Sequence, residues 1–175
     1  MPASVIFLIS DDASQTASND NHIRLPQAFT DGNWTVHIGA PERLTLNPEG
    51  LTVGGFALHK ADLIWPLGFG SRAGFLDRAH LLRQLPQDKL ISPIAEHVLG
   101  HGKAQWSEYC PPTYVSNDAA YLQGIAKEFG GDWVLKPLAG SYGRDVHHVQ
   151  SNQSGIICDV MQEQPRSYFA LQRFI

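Results

Sequence analysis

The sequence predicts an α/β protein in two parts, and three observations carry that prediction. Between Val5 and Ile91, short apolar runs alternate with helical stretches, the signature of a layered sheet. Beyond residue 116 a helix leads into strand, loop, strand, helix and strand, a small α+β arrangement. Between them, helical pieces are interrupted by Gly100, Gly102 and the pair Pro111-Pro112. The division is therefore expected as 1–92, a helical linker at 93–115, and 116–175.

Taken in order, Val5 to Ile9 is a continuous apolar run, the pattern of a strand covered on both faces. Residues 14–20 are polar and loop-like, a short helix is expected around Pro26 to Phe29, and Trp34 to Ile38 reads as a second strand. Leu44 to Val53 splits around Asn47-Pro48-Glu49-Gly50, a turn signal that predicts a hairpin. Ala61 to Trp65 is a further strand. Phe75, Leu76, Ala79, Leu82 and Leu85 then recur at helical spacing. Leu90-Ile91 is short and extended, and helices are expected at Pro93 to Leu99 and Lys103 to Tyr109. Asn117 is placed to cap a helix lined by Leu122, Ile125, Ala126 and Phe129, closed by Gly130-Gly131. Trp133 to Leu135, Asp145 to Val149 and Tyr168 to Ile175 read as strands, with a helix from Ser154 to about Glu163.

Composition excludes several functions. The 175 residues are 43 % hydrophobic and 17 % charged, enough apolar material for a core. Thirteen Lys and Arg face 17 acids, for a net charge of −4, and no basic block points to nucleic acid. The N-terminus lacks a basic n-region and its apolar run is too short to span a membrane. Cys110 and Cys158 form no CxxC pair, so free thiols and a cytoplasmic location are expected.

The chemistry concentrates in WVLKPLAGSYGRDV, residues 133–146. A strand delivers Lys136 and turns into a loop with Gly140, Ser141 and Gly143. Glycines let successive amides approach an anion, and lysine adds a point charge. No Gly-Lys-Ser/Thr triplet follows, so this is not a Walker loop, and the spacing fails GxGxxG. On residues alone the stretch is either a plain hairpin tip or a cation held beneath a flexible anion-binding flap.

Lys136-Pro137-Leu138 followed by Gly140-Ser141-Tyr142-Gly143-Arg144 resembles the lysine strand and glycine-rich loop of ATP-grasp enzymes, prokaryotic glutathione synthetase most of all. Upstream, His101-Gly102-Lys103 is similar to the family's first nucleotide-contacting lysine, and Ile91-Ser92-Pro93 to the strand and proline before its linker helices. Downstream, Phe169 to Ile175 resembles the hinge strand that meets adenine. The resemblance implies a pre-ATP-grasp, Rossmann-like domain followed by the small lysine-bearing α+β subdomain of the ATP-grasp fold. It implies that Lys103 and Lys136 contact the α- and β-phosphate side of ATP, Lys136 also lying near the adenine. Gly140, Ser141, Tyr142, Gly143 and Arg144 are expected to close over the β- and γ-phosphates. Gln172, Arg173, Phe174 and Ile175 are expected to hold the adenine edge through backbone groups, with Phe174 and Ile175 as apolar walls.

The implied reaction phosphorylates a carboxylate with ATP and lets an amine attack the acyl phosphate, so the partners are ATP and a small carboxylate and amine pair. Nucleic acid and membrane are not expected, and homo-oligomerisation is left open. Mg2+ is implied too, with its ligands in a second half-domain after the hinge rather than in these residues. Because the sequence stops in the hinge strand, a cut chain that binds ATP weakly and is not itself a competent ligase is expected. Where the family carries an arginine and paired prolines, this sequence has Pro66 to Arg72. Arg72 is either a ligand for a substrate carboxylate or a surface arginine. A non-catalytic nucleotide-binding or scaffold module is the alternative function.

Among the remaining candidates, His97 and His101 stand four apart, but the flanking glycines undermine a shared helix face. His147 and His148 in a strand point to opposite faces. Asp11 and Asp12 follow the first strand, as ligand or loop cap. The four tryptophans are expected mostly in the core.

Overall fold

The computed structural model describes residues 2–11, 20–68, 70–100, 102–139 and 145–175, apart from the side chains at positions 72 and 107. The chain divides into two compact units, Met1–Val98 and Leu99–Ile175. In the first, β1 (Ser4–Leu8) lies between β2 (Thr35–Gly39) and β6 (Leu63–Pro66), all parallel. Val5, Ile6, Phe7 and Leu8 are all buried, so both faces of β1 are covered as its unbroken apolar run predicts. Each such side chain contributes about 1.5–3 kcal/mol of burial. Ile6, Leu8 and Ile64 pack with Leu82 and Leu85, whereas Phe7 meets Phe29 edge-on and stacks on Trp65. Leu90 joins the sheet through a single parallel bridge to Ile64.

The hairpin forms around the expected turn, with β3 (Leu44–Asn47) and β4 (Gly50–Val53) joined by a short β5 (Phe56–Ala57). Asn47 Oδ1 accepts from the Glu49 amide, and Gly50 takes φ +123°, a conformation few side chains tolerate. Helix α1 (Asn21–Asp31) is longer than the stretch expected at Pro26 to Phe29. Asp20, at the end of the stretch expected to be loop, is the cap, accepting from the His22 amide, and Pro26 lies inside the helix. Helix α2 (Phe75–Leu82) follows the predicted periodicity, and α3 (Ile94–Leu99) follows Pro93.

The second unit is a four-stranded antiparallel sheet in the order β7 (Thr113–Ser116), β10 (Phe169–Arg173), β8 (Asp132–Pro137) and β9 (His147–Gln150). Helices α4 (Ala119–Phe129) and α5 (Gly155–Glu163) supply Leu122, Ala126, Ile157 and Met161 to a core with Trp133, Leu135, Val149, Phe169 and Leu171. Burial along β8 alternates strictly, with Trp133, Leu135 and Pro137 buried and Asp132, Val134 and Lys136 less so. Three expectations need correction here. The cap of α4 is Asp118 rather than Asn117, its carboxylate accepting from Ala120 and Tyr121 amides. Residues 103–109 are not an α-helix but turns closed by short bonds, Gln105 N–H to Gly102 and Tyr109 N–H to Trp106. Trp106 is 51 % exposed while Trp133 is 1 % exposed, so the tryptophans do not share one role.

Candidate functional site

The alternation of β8 sends Lys136 to the face of the sheet opposite the two helices. Its direct partner on β10 is Ala170, and Gln172 sits one diagonal step away on the same face. Lys136 Nζ donates to Gln172 Oε1 at 2.7 Å. Gln172 Nε2 donates in turn to Thr113 Oγ1 on β7 at 2.9 Å, and Thr113 donates to the Pro111 carbonyl at 2.7 Å. Lys103 arrives from a different segment. Its ammonium donates to the carbonyls of Pro137 and Leu138, each at 3.0 Å, immediately after Lys136. Two cations from separate stretches thus end at the C-terminal end of β8.

The four hinge residues divide by face. Gln172 lies beside Lys136, its carboxamide engaged at both ends. Arg173 points the other way, over the Trp133 ring at 5.1 Å and onto the Gly130 carbonyl. Gly131, at φ +70°, leaves the space that guanidinium fills. Phe174 is 54 % exposed and meets His148 edge-on at 5.2 Å, and Ile175 is 94 % exposed.

Backbone pairing narrows which hinge groups remain for a ligand. The Arg173 amide donates to the Pro112 carbonyl and the Phe174 amide to Asp132, so neither N–H is at hand for an adenine edge. The rung between Arg173 and residue 112 calls for a return bond to the Arg173 carbonyl. Proline has no N–H to give it. That carbonyl lacks its ladder donor.

Gly140, Ser141, Tyr142, Gly143 and Arg144 lie outside the described residues, as do His101, Asp12 and the Arg72 side chain. Asp11 accepts from Arg43 Nη2 at 3.0 Å, so it is an ion-pair partner at the end of β1. A cavity of about 330 Å³ opens beside that pair, with Gly39 and Gly54 among its lining residues. Asp62, at the start of β6, accepts the Ser4 amide at 2.8 Å and the Ser4 hydroxyl at 2.9 Å. The backbone hydrogen bond, then the hydroxyl, hold its carboxyl below the ordinary value. Cys110 and Cys158 are free thiols. Among the described residues, no three His, Cys, Asp or Glu side chains are grouped to hold a metal ion, and no helix is long and apolar enough to cross a membrane. Thr113 escaped the sequence reading because its strand did, and only the proline pair before it marked the place.

Residues 102–175 match the family model described as prokaryotic glutathione synthetase, ATP-grasp domain. Residues 102–175, with their lysine-bearing sheet, are thus similar to an ATP-grasp domain, and the mixed α/β fold of the chain is shared with a solved structure described as a RimK domain protein ATP-grasp. More particularly, the chain resembles glutathione synthetase. It is 29 % identical over 174 residues to that of Parasynechococcus marenigrum (strain WH8102), covering 91 % of this chain and 50 % of the relative. It is 40 % identical over 68 residues to that of Xanthomonas axonopodis pv. citri (strain 306), covering 38 % of this chain and 21 % of the relative. The fold is shared with D-cycloserine synthetase, with a TM-score of 0.71 at 17 % identity over 98 % of this chain and 59 % of that one. The chain therefore spans half or less of the curated relatives it matches.

Proposed function

We propose that this chain forms the lysine-bearing, nucleotide-gripping part of an ATP-dependent carboxylate–amine ligase of glutathione synthetase type. The supporting observation is the arrival of Lys103 and Lys136, from segments 33 positions apart in sequence, at one end of β8. In this reading Lys136 and Lys103 neutralise the phosphates, and residues 140–144 close over the β- and γ-phosphates. The Arg173 carbonyl takes the exocyclic amine of adenine in place of the missing proline N–H, between apolar surfaces from Phe174 and Ile175. Residues 1–92 form the Rossmann-like substrate-side domain, 93–115 the linker and 116–175 the ATP-grasp subdomain. Arg72 meets a substrate carboxylate.

The reaction transfers the γ-phosphoryl group of ATP to a carboxylate oxygen, releasing ADP. An amine then adds to the acyl carbon, inorganic phosphate leaves, and an amide remains. The chain's own contribution is positioning and charge neutralisation. Bound magnesium would supply positive charge to the phosphates, and among the described residues no three His, Cys, Asp or Glu side chains are grouped to hold it. The test is a ligand-observed NMR titration with Mg·ATP, which reads weak binding. One charged hydrogen bond is worth about 1.5–3 kcal/mol, so Lys136→Ala should weaken binding by roughly tenfold or more. Equal affinity in wild type and variant would overturn the assignment.

A further inference from the structure

The Gln172 carboxamide has one allowed orientation, set by counting donors and acceptors. The Pro111 carbonyl can only accept, so the single hydroxyl proton of Thr113 is spent on it at 2.7 Å. The Thr113 oxygen is then left to accept, and the group facing it at 2.9 Å is the nitrogen of Gln172. This turns Gln172 Oε1 toward Lys136, whose ammonium has only donors to offer, at 2.7 Å. A flipped amide sets two acceptors against each other at one end and two donors at the other. All three side chains lie on one face of the sheet, on the neighbouring strands β7, β10 and β8.

We infer that Thr113 is a positioning residue for Lys136, fixing the Gln172 amide that holds the lysine ammonium in place. The relay commits one of the three ammonium protons and aims the side chain along the sheet, so the others meet an anion from a fixed point. Without the hydroxyl, Gln172 is free to rotate and Lys136 loses its anchor. For nucleotide binding this rests on the ligase reading above; for the ligand-free chain it stands without it.

The experiment is trace acetylation of the intact chain, with the rate at each of its five lysines read by mass spectrometry. Thr113→Val keeps the shape and removes the hydroxyl, and it should raise the Lys136 rate at least threefold while leaving Lys60 and Lys127 unchanged. Thr113→Ser should restore the wild-type rate, and Thr113→Val should add nothing in a Gln172→Leu background. Thr113→Ala serves the same comparison if the valine variant does not fold. A Lys136 rate equal in wild type and the hydroxyl-free variant overturns the relay, whatever nucleotide binding does. In parallel, Mg·ATP affinity should fall threefold to tenfold in Thr113→Val and recover in Thr113→Ser. If acetylation responds as described but Lys136→Ala leaves ATP affinity unchanged, the relay stands and the nucleotide reading fails.

Discussion

Replacing Gly131 with alanine should destabilise the C-terminal unit by about 3 kcal/mol, a figure with separable parts. Gly131 has φ +70°, where an L side chain costs about 1–2 kcal/mol. An added Cβ would lie 2.8 Å from the Arg173 Cζ, closer than any real contact, so the guanidinium must leave. Arg173 then loses its bond to the Gly130 carbonyl and its place over Trp133. At a half-buried site these are worth roughly 1 kcal/mol and 0.5–1 kcal/mol. The assay is urea-dependent hydrogen exchange at β8 and β10 amides, which reports this unit alone. A double-mutant cycle with Arg173→Met separates the parts, because Gly131→Ala should cost only the backbone share, about 1–2 kcal/mol, once the guanidinium is gone. An equal cost in both backgrounds would refute the clash with Arg173.

Two further predictions concern local anchors. Asp62 has a folded-state pKa below its unfolded value, so its contribution is present above the ordinary carboxylate value near 4 and lost as pH falls through the lower folded value. Asp62→Asn should therefore flatten the acid limb of stability against pH below about 4, and an unchanged limb would count against the Ser4 contacts as its cause. Asp118→Ala removes the α4 cap and should cost about 1 kcal/mol in urea unfolding, while Asn117→Ala should cost far less.

Long apolar runs made much of the fold legible. The unbroken Val5 to Leu8 run announced a strand covered on both sides, and Trp133 to Lys136 announced one that ends in a charge. Strand β7 was not legible because Thr113, Tyr114, Val115 and Ser116 are all half-buried and carry no alternation. Start signals misled where two candidates stood together, as with Asn117 beside Asp118, and the cap at Asp20 sits at the end of a polar stretch that reads as loop. The positions of Lys103 and Lys136 could be singled out from pattern and resemblance, but their partners could not. Gln172 reaches Lys136 across 36 positions and Thr113 across 59, pairings that only the strand order creates. The opposite facing of Arg173 and Gln172 follows from simple alternation once the strand is placed, yet a shared hinge segment hid it.

In β8 one alternating pattern serves two masters. Leu135 fills the core beneath the helices while its neighbour Lys136 stands on the other side, so sliding the strand by a single residue would exchange them. Such a slip would drive an ammonium into hydrocarbon and turn a leucine outward in one move. Insertions or deletions inside this strand are thus barred twice over, and variation in this part of the chain has to come by substitution.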